Sequence, residues 1–356
     1  MKEKVTKKIL ITLLATAMIC TMILMTGCRN SKDKITDKSI IAKIDGSEIT
    51  LEEARFYMYL QQANYEAYYL SNGQEIDWSS QYKDDEGNTV SVQDEVKISC
   101  MDILYKQRLF AKKAVEWGIS LDESDIEEVD KLVKEFMTDS DKDLLKKIGS
   151  NETIIRKMYE DVQLYSKVCD KLFEDNPITV TDEEAKQGLF TIAIIDSSGT
   201  DSPKETADAV LQRVKSGENI TYVADKYALE TSTGNVGKGD MNNELENVCL
   251  SLKKGESDIA IVDSYYYVVY CDKDYDEDAT KIAKEQLTTE KKNDYIEEYY
   301  NNLKKDAQIE LFEKVFDSVK FTDHLFTKDD METTTAGDKS ETTTTSEETT
   351  EETSDK

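Results

Sequence analysis

The chain is poor in the side chains that most often carry chemistry. It has 356 residues but one histidine, two tryptophans and two prolines. Its six cysteines are scattered, with no C-x-x-C pair among them. A structural metal site needs clustered Cys and His ligands, so no metal is expected. Positive charge is also short. Lys and Arg number 45 against 74 Asp and Glu, a net charge of −29. Binding to a nucleic-acid backbone depends on Lys and Arg that release counterions, so no nucleic-acid partner is expected. Internal repeats are lacking as well. The lone His324, in "FTDHLF", reads as a surface residue near the end of the last helix.

The two ends are legible at once. "MKEKVTKK" is basic, and an uncharged run follows from Ile9 to Gly27. A charged start, an apolar run and small residues before a cut describe a secretory signal over residues 1–27. The stretch "LMTGC" then resembles the lipobox of bacterial lipoproteins, whose Cys is lipidated and becomes the first residue. Cys28 is that residue here, and Met25 stands where the lipobox usually has Leu. An uncleaved membrane anchor is the alternative, since the run is nearly long enough to span a bilayer. Either way, the bulk is placed outside the cytoplasm, tethered to the bacterial cell membrane. At the other end, "METTTAGDKSETTTTSEETTEETSDK" cannot bury enough apolar surface to offset the entropy of ordering. Residues 323–356 read as a disordered acidic tail.

Three glycines in "GNVGKGDM" (Gly234 to Met241) raise the question of a phosphate cradle. A P-loop needs G-x-x-x-x-G-K-[ST] between strand and helix. Here Lys238 is followed by Gly239 and Asp240, and an acidic residue would repel phosphate. The dinucleotide fingerprint fails in its order too. No cofactor is expected. "DKDYDEDA" sets Asp272, Asp274 and Asp276 at calcium-loop spacing, but Glu277 replaces the Gly at position six and Ala283 the Glu at twelve. With Cys20 leaving in the signal and Cys28 lipidated, Cys100, Cys169, Cys249 and Cys271 remain, as buried thiols or in a disulfide.

Between the ends, after a linker at 28–39, the pattern is α+β. "IIAKID", a "DG" turn and "EIT" form a hairpin. Thr50 caps a helix with Glu53 as its capping-box partner, and Tyr57, Leu60, Asn64 and Tyr68 mark one side of it. A polar loop precedes a helix over "VQDEVKISCMDILYKQRLFAKKAVEWG" that carries Val96, Met101, Leu104, Leu109 and Ala111 and stops at Gly118. Two further helices end before Pro177. From Val180 to about Tyr275 the order is β-α-α-loop-α-β, with strands at "LFTIAIID" and "SYYYVVYCD" and the glycine stretch as the loop. "ATKIAKEQLTTEKKNDYIEEYYNNLKKDAQIELFEKVF" reads as helical throughout.

The block from "ADAVLQRVKSGENITYVADKYALETSTGNVGKGDM" to "LKKGE" and "YYYVVY" resembles a parvulin-type peptidyl-prolyl isomerase domain. Upstream, "IIAKIDGSEITLEEARFYM" and "KKAVEWGISLDESDIEE" resemble the helical chaperone lobe of PrsA-type and SurA-type foldases. The resemblance implies a lobe over 40–179, a parvulin-like β-α-α-α-β insert over 180–276 and a helical return over 277–322. It further implies a membrane-anchored foldase for unfolded or partly folded exported polypeptides, monomer or dimer. Active parvulins carry two facing histidines; here those positions fall at Thr191 and Tyr267. The resemblance puts Glu230 at the family's Cys or Asp, and Met241 and Leu245 in its proline pocket. Isomerising an X-Pro bond means crossing a barrier of roughly 18–20 kcal/mol by binding the twisted amide better than either planar form. Thr191 and Tyr267 would offer the polar pair for that, or be ordinary sheet residues of a domain that only binds. The alternatives are a surface lipoprotein with one fixed protein partner and a transporter's solute-binding lipoprotein. The latter would need two lobes of repeated strand-helix alternation.

Overall fold

The computed structural model describes residues 34–84, 87–140, 142–199, 201–321 and 324–326. Cys28, the signal segment and the acidic tail beyond Phe326 lie outside the described residues. The chain divides into two compact units, and the second (Leu172–Tyr299) is inserted in the sequence of the first (up to Lys171, then from Tyr300).

Unit 1 begins with a hairpin of β1 (Ile40–Ile44) and β2 (Ser47–Thr50). Its turn is Asp45-Gly46, both at positive φ (49° and 82°), which glycine adopts freely and Asp tolerates. Thr50 then starts α1 (Leu51–Ser71), accepting a hydrogen bond from the Glu53 N–H at 3.3 Å. The expected capping box is half made. The Glu53 carboxylate turns instead to Arg108, on α2 (Val92–Trp117). α2 is capped by Ser91 and stops, as its sequence indicates, at Gly118 in the left-handed region. α3 (Glu123–Asp139) opens with a full capping box of Asp122 and Asp125. α4 (Lys142–Lys147) and the start of α5 (Glu152–Asp175) complete the helical layer.

Two segments depart from their sequence reading. The polar loop after α1 contains a small hairpin, β3 (Gln81–Lys83) with β4 (Thr89–Ser91). The long C-terminal helix α9 (Glu277–Asp306) does not continue to Phe316. It gives way to β9 (Ile309–Leu311) and a one-turn α10 (Glu313–Phe316). β9 pairs antiparallel with β1, making the sheet order β2-β1-β9. The "QIEL" alternation suits a strand, and the free edge of β1 supplies its partner. The buried side of α1 also differs. Tyr57 is buried, but Tyr68 is mostly exposed, and the core side carries Ala54, Met58, Gln62 and Glu66. Aromatic spacing pointed the other way because it cannot see buried polar residues.

Charge is buried in unit 1, and each case is paired. Arg108, nearly inaccessible, bonds both Glu53 and Asp161, and Lys157 reaches Asp161 at 2.7 Å. Taking an ion out of water costs several kcal/mol, so only this matching on every side makes it tolerable.

Unit 2 is built on one antiparallel sheet of order β6-β5-β8-β7. The strands are β5 (Gly188–Asp196), β6 (Glu230–Val236), β7 (Ser257–Val262) and β8 (Tyr265–Lys273). The helices are α6 (Pro203–Lys215), α7 (Ile220–Lys226) and α8 (Asn243–Ser251). The α+β class holds, and the order gains two strands: β-α-α-β-α-β-β. β6 was hidden in polar "ETSTGNV", an exposed edge strand held by its pairing with β5. β7 returns to β8 through a two-residue turn with Asp263 at φ 51°. Ala193, Ile195 and Val268 pack against α6 and α7 on one face, and Phe190, Ile192, Val269 and Cys271 against α8 on the other. Among the described residues, no helix is long and apolar enough to cross a membrane.

All four described cysteines are buried and free. Burial pushes the Cys100 thiol up to about 12, and those of Cys169, Cys249 and Cys271 up to about 11. On unfolding, each returns towards its ordinary value of 9.0. Above that value the folded state holds more protons than the unfolded one. The contribution to stability is therefore full below about pH 9 and is lost as pH rises through about 11. Urea midpoints measured from about pH 8 to about pH 10.5 are expected to fall, and iodoacetamide is expected to alkylate these four thiols at neutral pH only in denaturant. A flat profile with full labelling of the native protein would contradict the burial.

Candidate functional site

Side chains alternate along a strand, so the register of β5 decides what can meet on each face of the unit 2 sheet. From Phe190 to Asp196 the pairing of β5 with β8 runs without a bulge. Ile194 stands opposite Tyr267 on one side and Glu230 on the other. The row Glu230, Ile194, Tyr267, Ala260 therefore lies on the α8 face. Met241 and Tyr267, both half-buried, pack on the same cluster as buried Leu245. Four of the five sequence candidates thus share one face: Glu230, Met241, Leu245 and Tyr267.

Thr191 does not join them. It is one residue out of phase, on the face of Ala193 and Ile195, opposite Thr233 and Tyr270. Its hydroxyl donates to Asp272 Oδ2 at 2.8 Å and lies 2.9 Å from the Thr233 hydroxyl. The polar pair of Thr191 and Tyr267 is therefore not formed; the sheet separates them. The residue on the Tyr267 face is Ile192, which is buried. Counting alternation from Phe190 through "FTIAII" would have found this.

What remains is an apolar platform with a rim. Ile194, Met241 and Tyr267 form its half-buried surface over Ile192 and Leu245. The Tyr265 ring lies 6.0 Å from that of Tyr267. Glu230 and Ser232 are exposed at the β6 edge. Such a surface can bury an apolar side chain or a proline ring. It offers no imidazole, and the Thr191 proton is committed to Asp272 on the other face.

The glycine stretch also finds its place. Gly234 lies inside β6, and the turn proper runs from Gly237 to Met241. Three of its backbone N–H groups are already taken by carboxylates. Gly237 N–H donates to Asp240 Oδ2 at 2.7 Å, and Gly239 N–H donates to Glu246 Oε2 at 2.7 Å. Buried Glu246 also accepts from Met241 N–H at 3.4 Å. A phosphate would need those same N–H groups, so this is no cradle. Glu246 fixes the turn that presents Met241, a role its sequence position at the start of a short helix did not reveal. Of the three acidic residues at calcium-loop spacing, Asp272 accepts from Thr191, Asp274 pairs with Lys253 at 3.6 Å and Asp276 with Lys273 at 2.9 Å. They do not converge on one point.

No family model matches the chain. It is similar in sequence to "Foldase protein PrsA" of Caldanaerobacter subterraneus subsp. tengcongensis, 23% identical over 308 residues, covering 83% of this chain and 94% of the relative. The similarity to this foldase thus extends over 83% of the chain. Among solved structures, similar chains include foldase PrsA from Lactococcus lactis, at 16% identity and TM-score 0.33, covering 78% of this chain and 96% of that one. A SurA-like chaperone structure from Campylobacter jejuni matches at 13% identity and TM-score 0.31, covering 77% and 99%.

The turn yields a test with an internal control. A Cβ on Gly237 would lie 2.8 Å from the Lys186 carbonyl and 2.1 Å from Gln187 Nε2, whereas one on Gly234 meets nothing within 4 Å. Gly237→Ala is expected to cost about 1–3 kcal/mol in urea unfolding, as overpacked sites do. Gly234→Ala, in a strand at ordinary φ, should be neutral or slightly stabilising. Equal effects would refute the close approach at Gly237.

Proposed function

We propose that this chain is an extracytoplasmic foldase or chaperone that holds exported, partly folded polypeptides, and that unit 2 is a parvulin-like domain which binds prolyl or apolar segments without catalysing their isomerisation. The observation that carries the reading is the α8 face of the sheet. Met241, Leu245 and Ile194 stand around Tyr267 where an isomerase would need a facing polar pair. Binding an X-Pro segment needs a dry pocket; turning it needs differential stabilisation of the twisted amide. For the first this platform supplies an apolar surface, and for the second it offers the Tyr267 hydroxyl without a facing polar partner.

The wider reading keeps the division drawn from sequence: a signal over 1–27, a linker, a chaperone lobe over 40–179 closed by the C-terminal return, and the insert over 180–276. A lipid on Cys28 would tether the protein to the outer side of the cell membrane, and the acidic tail would extend from the lobe. The similarity to a foldase over most of the chain supports the client-holding role. A solute-binding lipoprotein is disfavoured by the single antiparallel sheet of unit 2. A surface lipoprotein with one fixed partner would use the same platform and differ in its selectivity.

The purified chain is expected to give no tetrapeptide prolyl isomerisation above background. It should still bind a proline-containing peptide and slow aggregation of an unfolded client. Met241→Ala should weaken that peptide binding roughly tenfold, the equivalent of about 1.4 kcal/mol of lost apolar contact. Thr191→Val, on the opposite face, should leave it unchanged. An isomerisation rate abolished by Tyr267→Phe would establish an enzyme instead. Binding to one protein only, with no effect on unfolded clients, would favour the fixed-partner reading.

A further inference from the structure

The open end of the unit 2 platform carries charge of one sign. Two rows of opposed residues frame it: Glu230, Ile194, Tyr267 and Ala260 in one, Asp196, Tyr265 and Val262 in the next. Both rows stand on the α8 face, because Asp196 is in phase with Ile192 and Ile194 along β5. The apolar members end at Asp196 and Glu230, and neither row contains Lys or Arg. α8 adds exposed Glu244 and no base, and the turn between β7 and β8 adds exposed Asp263. Lys238 lies beyond Val236, at the opposite end of β6 from Glu230.

These carboxylates are open to a partner. Asp196 Oδ1 accepts from the Ser198 N–H and from the Ser198 hydroxyl, both at 2.8 Å, which holds the side chain in place. Among the described residues, neither Asp196 nor Glu230 makes an ion pair. Opposite Asp196, the Tyr265 ring is 37% exposed and lies at 33° to the Tyr267 ring. Among the described residues, no cation covers either ring.

A carboxylate beside an exposed aromatic ring suits a cation. The ring draws positive charge over its face, and a guanidinium can stack there while it bonds the carboxylate. Negative charge alone would not single out this place, since the whole chain carries −29. What is particular to it is the ring, the held carboxylate and the apolar floor together. The spacing suits neighbouring residues of an extended segment. Asp196 is two positions from Ile194 along β5, about 7 Å. A long side chain next to a residue seated over Ile194 and Tyr267 starts only about 3.8 Å away and spans that distance.

We propose that the platform selects segments whose seated proline or apolar residue is flanked by Arg or Lys, with Tyr265, Asp196 and Glu230 as the selecting residues. This names which segments the α8 face takes, and it rests on the reading of that face as a binding surface.

The probes are three fluorescein-labelled peptides that share one sequence around a central proline and differ only in its two neighbours: Arg-Pro-Arg, Gln-Pro-Gln and Glu-Pro-Glu. A base on both sides removes any dependence on chain direction. Anisotropy titrations with the full chain at about 0.05 M salt are expected to rank them in that order. The Arg-flanked peptide should bind about tenfold tighter than the Gln-flanked one, the scale of one or two exposed ion pairs and a cation–ring contact. At about 0.5 M salt that ratio should shrink. Asp196→Asn with Glu230→Gln should cut it to about threefold or less, and so should Tyr265→Leu. Each ratio is read within one chain, so a variant that binds every peptide more weakly still reports. Glu205→Gln with Asp225→Asn removes the same charge from exposed positions on α6 and α7, which cover the other face, and should keep the wild-type ratio. An equal drop in that control would assign the preference to net charge and overturn the proposal. Equal affinity of the wild-type chain for the Arg-flanked and Gln-flanked peptides would overturn it too, while leaving the platform reading in place. Binding of none of the three would overturn both.

Discussion

The antiparallel pairing of β5 with its two neighbours is the constraint on which unit 2 turns. β5 lies between β6 and β8, so its side chains have two destinations and no third. Phe190, Ile192 and Ile194 build the layer beneath α8; Ala193 and Ile195 build the layer beneath α6 and α7. A slip of one residue would exchange the two sets and bury Thr191 among apolar groups without Asp272. Both layers are apolar enough that the register has no competitor. Everything said of the platform follows from that phase.

Unit 1 is organised differently, around charges placed inside it. Lys97 is fully buried, 2.9 Å from Asp94 and 4.3 Å from the centre of the Phe316 ring. Arg108 bridges Glu53 and Asp161 across three helices. Glu66 collects donors from three parts of the chain. None of these needs to be more stabilising than an apolar residue of the same size. What they add is selectivity, because each tolerates only one arrangement of its neighbours.

Local signals were legible and long-range ones were not. Thr50 and Gly118 mark helix ends because capping and left-handed φ are properties of a few adjacent residues. "LFTIAIID" and "YYYVVY" announce strands by composition. β6 does not, since Glu, Thr, Ser, Gly and Asn read as a turn until β5 is beside them. β9 likewise exists only because β1 has an open edge. Of the residues singled out in the sequence, Glu230, Met241, Leu245 and Tyr267 share one face of the sheet, and Thr191 is out of phase with them. The tail was drawn from residue 323, yet Leu325 and Phe326 are held by Glu66, a partner 259 and 260 positions away. No window of sequence contains that contact.

The separation between partners also differs between the units. Unit 2 is one continuous run, Leu172–Tyr299, so every strand partner lies within that run, the farthest pair being Leu189 with Lys273. Unit 1 is closed by pairs such as Asp45 with Gln308 and Lys97 with Val319, 263 and 222 positions apart. A chain that emerges N-terminus first has all of unit 2 in hand while unit 1 still lacks the strand that completes its sheet. Until Leu311 arrives, β1 presents an unpaired edge. A protein whose proposed task is to shelter unfinished chains is itself, for most of its own emergence, an unfinished chain with an open edge.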